Sequence, residues 1–408
     1  MARLAWDTLG AVLAGQRGPV HWRYRLHRSD LAGTVGDRIF DVTGGEVSMS
    51  NFRDHTWELA LTRRELEEPE LALFGDWVRV FVEVRTGELH EAPGTRYRSF
   101  PFGLFQIDPP NPEHDEASTT YAVTGRSPEI VVLDDYATDG YKAAKGTGVL
   151  EESRRILTSR GVPPERIDFP AHDVKLTADL WVDQHQDWSK CSRLRIVNTL
   201  LNAGGFYALY TDAEGYFKTK EIEDTASRKH DAEWTSEGPF RMVVGSIGEE
   251  YDLSSFANKV VVYAGEPGSA MIDAVAVNAD PESPGSVLPP PAGIGRVVMR
   301  EPVKLQNVVS QNEADKLARA QLKRDTAANH KIRMSVLPDP RRGPREDVYL
   351  DVRRPHYPDP DAYGPLEGEP GERVLQGRFT IVGWTFPLEN PPQPMSVELT
   401  RAEKLVNV

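Results

Sequence analysis

A strand, a proline-rich connection and a returning strand occur twice in this chain, and this repeat limits the folds open to it. In the later copy, residues 377–401, apolar residues alternate with polar ones on both sides of a proline-rich segment. Proline cannot donate to a strand ladder, so the segment marks a connection. In the earlier copy, residues 103–107 run into Pro109 and Pro110, and a strand follows at 121–124.

The repeat extends upstream of both copies. Residues 75–85 match residues 346–353, and residues 57–61 match residues 332–336. Four strand-like elements therefore recur in one order, which predicts a duplicated β-module. Two unrelated antiparallel sheets are the alternative, because the identity between the copies is low.

Composition places the chain among globular proteins. It has 408 residues, of which 39% are hydrophobic and 27% are charged, and its net charge is -14. Such an acidic balance argues against a surface that clasps phosphates. It is compatible with DNA passing an acidic wall that repels it.

Cysteine usage and hydropathy exclude several classes of protein. The single cysteine, Cys191, excludes an intrachain disulfide and a cysteine-built metal cluster, and we expect it to be a small core residue. No apolar run reaches the roughly 18–20 residues of a membrane span. Residues 1–18 are interrupted by Asp7 and make a poor signal peptide. We therefore expect synthesis in a cytoplasm.

The order of strand-like and helix-like segments predicts a mainly β protein with an α+β insertion between two similar β-barrel modules. Short strands with Gly and Pro turns favour a barrel or sandwich on both sides of a more helical middle. The predicted parts are an N-terminal segment at 1–19, a first β-barrel module at 20–134, an α+β insertion domain at 135–239, and a second β-barrel module at 240–408 with one long helix at 310–325.

The sequence also predicts individual turns, helices, paired strands and loops. Gly44-Gly45 indicates a hairpin turn between strands at 39–42 and 46–49. Ser310 and Glu313 form a capping box for the long helix. The remaining predictions are a helix at 4–13, helices at 148–160 and 194–203, a hairpin turn at 212–215, paired strands at 256–263 and 272–278, exposed loops at 280–286 and 289–291, and a mobile or interfacial loop at 353–373.

Two groups of acidic and histidine residues could bind metals. Asp183, His185 and Asp187 would share one face of an extended segment, but nothing else in the sequence fixes them there and a solvated loop explains them better. Asp359 and Asp361 resemble part of a calcium loop without its downstream glutamate. We therefore predict no metal site.

Other candidate sites have plain structural explanations. The carboxylates of Asp134-Asp135 and Glu249-Glu250 are neighbours in sequence, so they would point to opposite faces of a strand. Gly146 and Gly148 lack the third glycine of a nucleotide fingerprint. Five tryptophans could form a sugar platform or pack in a core or interface: Trp77, Trp181, Trp188, Trp234 and Trp384.

The sequence contains no recognisable catalytic motif. G-x-S-x-G, H-E-x-x-H and Walker patterns are missing. We therefore predict no catalytic residue and no cofactor, and expect a structural protein rather than an enzyme.

Several stretches together carry a resemblance to a known family. They are residues 73–80 with 102–107, residues 200–215, residues 257–262, residues 279–284 with the helix at 314–324, and the terminal segment 377–401. In their order the chain resembles the tail hub of tailed bacteriophages, the gp27-like baseplate hub family. In sequence it is most similar to hub-type minor tail proteins of siphophages.

This resemblance implies a homotrimer in the virion. Three chains with two barrels each would form a ring of pseudo-sixfold symmetry, joining a sixfold tail tube or distal tail protein above to threefold tip or fibre proteins below. The tape measure protein is a further implied partner, and phage DNA would pass the lumen without specific binding. One alternative is a glycan-binding or glycan-cleaving β-protein of a phage tail. Another is the hub of an injection system or gene-transfer particle.

Overall fold

The structure is a computed structural model of the chain. It describes residues 22–42, 44–51, 55–64, 76–85, 97–109, 111–114, 119–137, 141–182, 192–222, 229–236, 242–251, 256–264, 272–281, 283, 285–299, 301–304, 311–327, 330–353, 373–389, 393–401 and 405–407. The predicted N-terminal segment, Asp183, His185, Asp187, Cys191, Trp188, Asp359 and Asp361 lie outside these residues, as do Ser310 and nearly all of the loop predicted at 353–373.

The described residues up to Arg126 form eight strands. They are β1 (Trp22–Ser29), β2 (Val35–Val42), β3 (Glu46–Ser50), β4 (Trp57–Arg64), β5 (Trp77–Arg85), β6 (Tyr97–Ile107), β7 (Asn111–His114) and β8 (Thr119–Arg126). Their apolar residues alternate with polar ones, as for a sheet with one buried face.

The middle part mixes helices with very short strands around a core of its own. Its elements are α1 (Ile130–Leu133), β9 (Tyr141–Ala143), α2 (Val149–Thr158), a 3-10 turn (Pro164–Arg166), β10 (Ile167–Asp168), β11 (Leu180–Val182), α3 (Arg193–Ala203), β12 (Tyr210–Thr211) and β13 (Phe217–Lys218). The helices predicted at 148–160 and 194–203 are confirmed, as is the turn at 212–215 between two antiparallel strands.

The last part returns to strands and carries the longest helix. Its elements are β14 (Ala232–Thr235), β15 (Val243–Tyr251), β16 (Lys259–Ala264), β17 (Ile272–Asn278), β18 (Val303–Lys304), α4 (Gln311–Ala327), β19 (His330–Val336), β20 (Asp347–Arg353), β21 (Arg373–Pro387), β22 (Met395–Arg401) and β23 (Leu405–Asn407). The mainly β class with a helical middle is confirmed.

The two β-modules have the same strand order. In the first module the neighbours run β3-β4-β8-β6-β5, and in the second they run β15-β19-β22-β21-β20, with every pairing antiparallel. The strands matched in sequence occupy matching places, so the predicted duplication is confirmed. Both modules belong to one sheet of 14 strands because β21 pairs with β3. Within the described residues this sheet follows an open path.

The hairpin predicted at Gly44-Gly45 is wrong. In the described part of the chain β2 pairs with β1, whereas β3 pairs with β4 and β21. Gly45 has a φ of 119°, and a Cβ there would lie 2.3 Å from the Ala60 carbonyl oxygen. The glycine thus permits a close passage over β4 rather than a tight turn.

A small unit interrupts the second module between β15 and β19. The strands β18-β16-β17-β23 form its sheet, and α4 packs on it through Ala314, Ala318 and Leu322. The pairing predicted between 256–263 and 272–278 is confirmed. The loop after β17 is less exposed than predicted, because Ser283 and Ser286 are buried and hydrogen-bonded.

Candidate functional site

The continuous sheet presents one buried face and one polar face. Along β3, Val47 and Met49 are buried, whereas Ser48 and Ser50 lie on the opposite face. The alternation continues across the joined strands. Polar or small side chains on the same face as Ser48 include Glu58, Ala60, Thr124, Arg333, Ser335, Thr385, Ser396 and Glu398.

The polar face is concave where the two modules meet. A cleft of about 600 Å³ crosses five strands there, namely β3, β21, β22, β19 and β15. Hydroxyl groups and glycines dominate its lining: Ser48, Ser50, Ser246, Gly248, Ser335, Gly383, Thr385 and Ser396. Met49, Met334, Val382, Trp384 and Val397 complete the lining with apolar atoms, and Arg333 and Glu398 with charged groups.

Three of the cations on this face lie close to carboxylates. Arg333 Nη2 lies 3.4 Å from Glu250 Oε2, and Lys331 Nζ lies 3.6 Å from Glu398 Oε1. In the first module, Arg126 Nη2 lies 2.7 Å from Asp108 Oδ1. The carboxylates offset the positive charge that binding to DNA phosphates would need.

An aromatic cluster packs the two modules together behind the polar face. Phe102 stacks on Trp384 with ring centroids 5.7 Å apart and contacts Phe386 edge-on at 4.8 Å. Trp57 meets Trp384 edge-on at 5.2 Å. Trp57 and Phe102 belong to the first module, and Trp384 and Phe386 to the second. All four are buried, so the modules share one core.

A buried carboxylate joins the first module to the helical middle. Glu129 precedes α1 and is fully buried. It accepts hydrogen bonds from the hydroxyl of Thr56 and from the backbone N–H and hydroxyl of Thr211, the last two at 2.8 and 3.0 Å. Trp57 Nε1 donates to the Thr211 carbonyl at 2.6 Å. Thr211 is thereby held from both sides.

The turn after Thr211 is seated against the first module. Arg79 and Arg166 both donate to the Glu214 carbonyl, at 2.9 and 3.0 Å. Gly103 N donates to the Ala213 carbonyl at 3.0 Å. Burial and the nearby Arg166 lower the pKa of Arg79, and burial and Asp212 raise the pKa of the Glu214 carboxyl. This contact orients the middle domain on the sheet.

A buried ionic cluster occupies the turn between β19 and β20. Asp339 is 1% exposed, and its carboxylate accepts a hydrogen bond from Arg341 Nε at 2.6 Å. Arg342 Nε forms an ion pair with the same carboxylate at 3.2 Å. Burial opposes ionisation of this carboxyl, but Arg342 and Arg341 outweigh it and lower the pKa of Asp339. Arg342 also bonds Glu346 at 2.9 Å.

The glycine pair near α2 serves a helix cap. Gly148 is the residue before α2, and the Asp173 carboxylate accepts from Leu150 N at 2.8 Å and Glu151 N at 3.1 Å. A Cβ at Gly148 would lie 2.3 Å from Asp173 Oδ2. A protein carboxylate thus occupies the helix N-terminus where a phosphate would bind.

The two predicted carboxylate pairs make separate ionic contacts. Asp135 Oδ2 lies 2.6 Å from Arg160 Nε and 3.3 Å from Arg193 Nε, which ties α2 to α3. Asp134 lies 3.8 Å from Arg126 Nη1. Glu250 contacts Arg333 on the polar face. These contacts give the pairs structural roles.

The described tryptophans divide between core and surface. Trp234 and Trp384 are buried, as core packing predicts. Trp181 is 59% exposed, with Lys142 Nζ 4.7 Å from its ring centroid. The described tryptophans therefore do not line up as one exposed platform.

The described residues contain neither a cluster of metal-ligating side chains nor a membrane-spanning helix. Within them, no group of three or more His, Cys, Asp or Glu side chains could hold a metal ion. No described helix combines the length and apolar character needed to cross a membrane.

Sequence reasoning missed Glu129 and Asp173. Glu129 stands between Pro128 and the apolar run 130–133, a setting that could have marked it as a buried acid. Asp173 lies far from α2 in sequence, and nothing local indicates its capping role.

Solved structures of phage tail proteins share this fold over nearly the whole chain. The tail protein from Neisseria meningitidis MC58 matches with a TM-score of 0.60 and 12% identity, covering 93% of this chain and 96% of that one. The 43 kDa tail protein of prophage MuSo2 from Shewanella oneidensis matches with a TM-score of 0.60 and 13% identity, covering 93% and 98%. Prophage tail protein gp18 from Listeria monocytogenes EGD-e matches with a TM-score of 0.50 and 12% identity, covering 93% and 94%.

Comparison of the sequence with family models and with curated proteins finds no match. The fold shared with the three solved tail proteins confirms the predicted resemblance to bacteriophage tail proteins at the level of the fold.

Proposed function

We propose that this chain, which has the fold of phage tail proteins, is a structural component of a phage tail and forms its tip hub. The observation that carries the proposal is the duplicated module whose two copies are joined edge to edge in one sheet. A chain with two equivalent modules can occupy two of six equivalent places in a ring, and three copies then complete it. Such a trimer offers six similar modules to a sixfold tube.

The polar face is suited to line the channel of this ring. Its opposite face carries the shared core, which leaves the hydroxyl-rich surface for the lumen. Arg126, Lys331 and Arg333 on this face lie close to carboxylates, and the whole chain carries a charge of -14. DNA would pass without binding because these carboxylates offset the positive charge that would otherwise hold its phosphates.

The role of the protein is then assembly rather than turnover. The tail tube or distal tail protein would bind one rim of the ring, and tip, fibre and tape measure proteins the other. A glycan-cleaving protein would instead need two carboxylates facing one bond. Asp135 and Glu250 are each engaged with arginines and lie on different parts of the fold.

Particle assembly tests the proposed function. Phage carrying a disrupted gene for this chain should yield tails that lack a tip or fail to form, and complementation should restore them. Gold-labelled antibody should mark one end of the wild-type tail. Labelling along the tail or on the head, or infective particles without the protein, would contradict the proposal.

A further inference from the structure

A tryptophan is exposed on the two-stranded ribbon of the middle domain. β9 and β11 pair antiparallel, with Trp181 opposite Lys142. The inner face of this ribbon is buried in the core of the middle domain through Ala143, Leu180 and Val182. Side chains alternate between the two faces of a strand, so Trp181 and Lys142 point outward. Trp181 is 59% exposed, the largest value among the large hydrophobic side chains that the structure describes.

Two charged side chains are fixed beside the Trp181 ring. Lys142 Nζ lies 4.7 Å from the ring centroid and 2.6 Å from Asp179 Oδ2. Asp179 Oδ1 also accepts a hydrogen bond from Lys145 N at 2.8 Å. The hydrogen bonds from Lys142 and Lys145 lower the pKa of the Asp179 carboxyl. One exposed apolar side chain is ordinary on a protein surface, but this one has an ammonium and a carboxylate held at its border.

The ribbon is anchored to α2 from its inner face. Tyr141 precedes Lys142 on β9, and its hydroxyl donates to Glu152 Oε1 at 2.5 Å. Arg155 Nε donates to the other carboxylate oxygen of Glu152 at 2.7 Å. The backbone that carries the exposed group is therefore held before any ligand arrives. A site that is already ordered loses less conformational entropy on binding.

The surface around Trp181 is polar and locally basic. The segments 141–149 and 174–182, which carry the ribbon, contain three lysines and one aspartate in a chain whose net charge is -14. All three lysines, at 142, 145 and 175, are exposed. Single-stranded DNA binds platforms with successive aromatic rings, and a protein-binding hot spot is ringed by contacts that exclude water. Residues 141–182 present one exposed aromatic ring among lysines, which fits neither pattern.

We propose that this ribbon binds an acidic glycan, a polymer of sugar rings that bear carboxylate or phosphate groups. The C–H face of a sugar ring is apolar and can pack on the exposed indole of Trp181. Hydroxyl groups at the rim of the sugar can form charge-assisted hydrogen bonds with Lys142 and Asp179. The lysines attract the negative groups of the polymer. This inference goes beyond the proposed hub and does not depend on the ring.

Isothermal titration calorimetry with the full chain tests the proposal. Oligomers of galacturonic acid and a phosphate-bearing mannan oligosaccharide are the acidic probes, and they distinguish carboxylate from phosphate as the recognised charge. At least one of them should bind at low salt, and added salt should weaken the binding. The methyl ester of the galacturonic acid oligomer keeps the rings without the charge, and polyglutamate keeps the charge without the rings. Both should bind at least about tenfold more weakly, because the site needs ring and charge together.

Variants on the exposed face of the ribbon locate the binding. Trp181→Ala should weaken binding of the acidic oligomer by about tenfold or more, whereas Trp181→Phe should retain most of it. Lys142→Gln should weaken binding by about fivefold and make it less sensitive to salt, because one cation is lost. Tyr136→Ala removes an exposed aromatic ring of the same domain outside the ribbon and should leave binding unchanged. Thermal unfolding checks that each variant keeps its fold.

Four results would overturn the inference. They are no binding of either acidic probe, equal binding of polyglutamate, tighter binding of single-stranded DNA than of the acidic oligomers, and unchanged binding in folded Trp181→Ala. Each of them would leave the proposed hub standing, because the mass and outline of the ring are measured separately.

Discussion

Glu129 shows how a single buried charge can fix one domain on another. Its carboxylate accepts three hydrogen bonds, two of them from Thr211 of the middle domain. Hydrogen bonds to charged groups contribute roughly 1.5–3 kcal/mol each, and an amide in place of the carboxylate would present an N–H₂ group to a donor.

Glu129→Gln should therefore lower the free energy of unfolding by about 2–3 kcal/mol. Glu151→Gln on the exposed side of α2 is the matched control and should change it by less than about 0.5 kcal/mol. Urea unfolding followed by tryptophan fluorescence measures both. Equal losses of unfolding free energy in the two variants would show that the hydrogen bonds of Glu129 do not stabilise the contact between the first module and the middle domain.

Gly148 permits the cap of α2. Gly148→Ala should displace Asp173 and cost about 0.5–2 kcal/mol, the usual cost of losing a helix cap. Asp173→Ala should cost a similar amount, and the double variant should cost little more than either single one. Additive losses in thermal unfolding would show that the two residues act separately.

At the scale of elements, the repeat was readable because each strand keeps its alternation and its proline boundary. The matched segments at 57–61 and 332–336 became β4 and β19 in equivalent places. The hairpin at Gly44-Gly45 was misread because a turn pattern does not say which strands pair. A glycine is needed at position 45 because the backbone passes close to Ala60, a long-range contact that no local sequence pattern indicates.

The candidate site was less predictable than the fold. Alternation in β3 indicates that Ser48 and Ser50 share a face, but not which face lines a concavity. The cleft arises because β21 bridges the modules, a pairing between residues more than 300 positions apart in sequence.

The Asp339 cluster predicts a pH-dependent contribution to stability. Asp339→Asn should cost about 3 kcal/mol at pH 7, because Arg341 and the buried Arg342 lose their shared carboxylate and Arg342 keeps only Glu346 as a charged partner. The pKa of Asp339 is lowered in the folded protein, so its stabilisation is complete above the unfolded pKa of about 3.9 and is lost as pH falls through the folded value. The difference between wild type and variant should therefore shrink below about pH 4.

Asp76→Asn is the control for that series. Its partner Arg28 lies 3.5 Å away, and both side chains are largely exposed, so the change should cost about 0–1 kcal/mol. Urea unfolding at pH 7 and at several acid values gives the comparison. A loss at Asp339 no larger than at Asp76 would contradict the assigned role.

For the molecule as a whole, the proposed function makes the hydroxyl-bearing face of the sheet the wall of a channel for DNA. The wild-type protein should show no DNA affinity in filter binding at low salt. Glu398→Lys should create affinity that falls steeply with added salt, because Lys331 would lose its carboxylate partner beside a new cation. Ser396→Ala on the same face is the neutral control. Salt-dependent binding by wild type would contradict a lumen that lets DNA pass.

The most direct measurement is electron microscopy of the purified protein at high concentration, paired with its mass in solution. We expect rings with a sixfold outline and the mass of three chains, since each chain supplies two equivalent modules. Compact particles with the mass of one chain at every concentration, or rings with six chains, would contradict the claim that the duplicated module builds the ring.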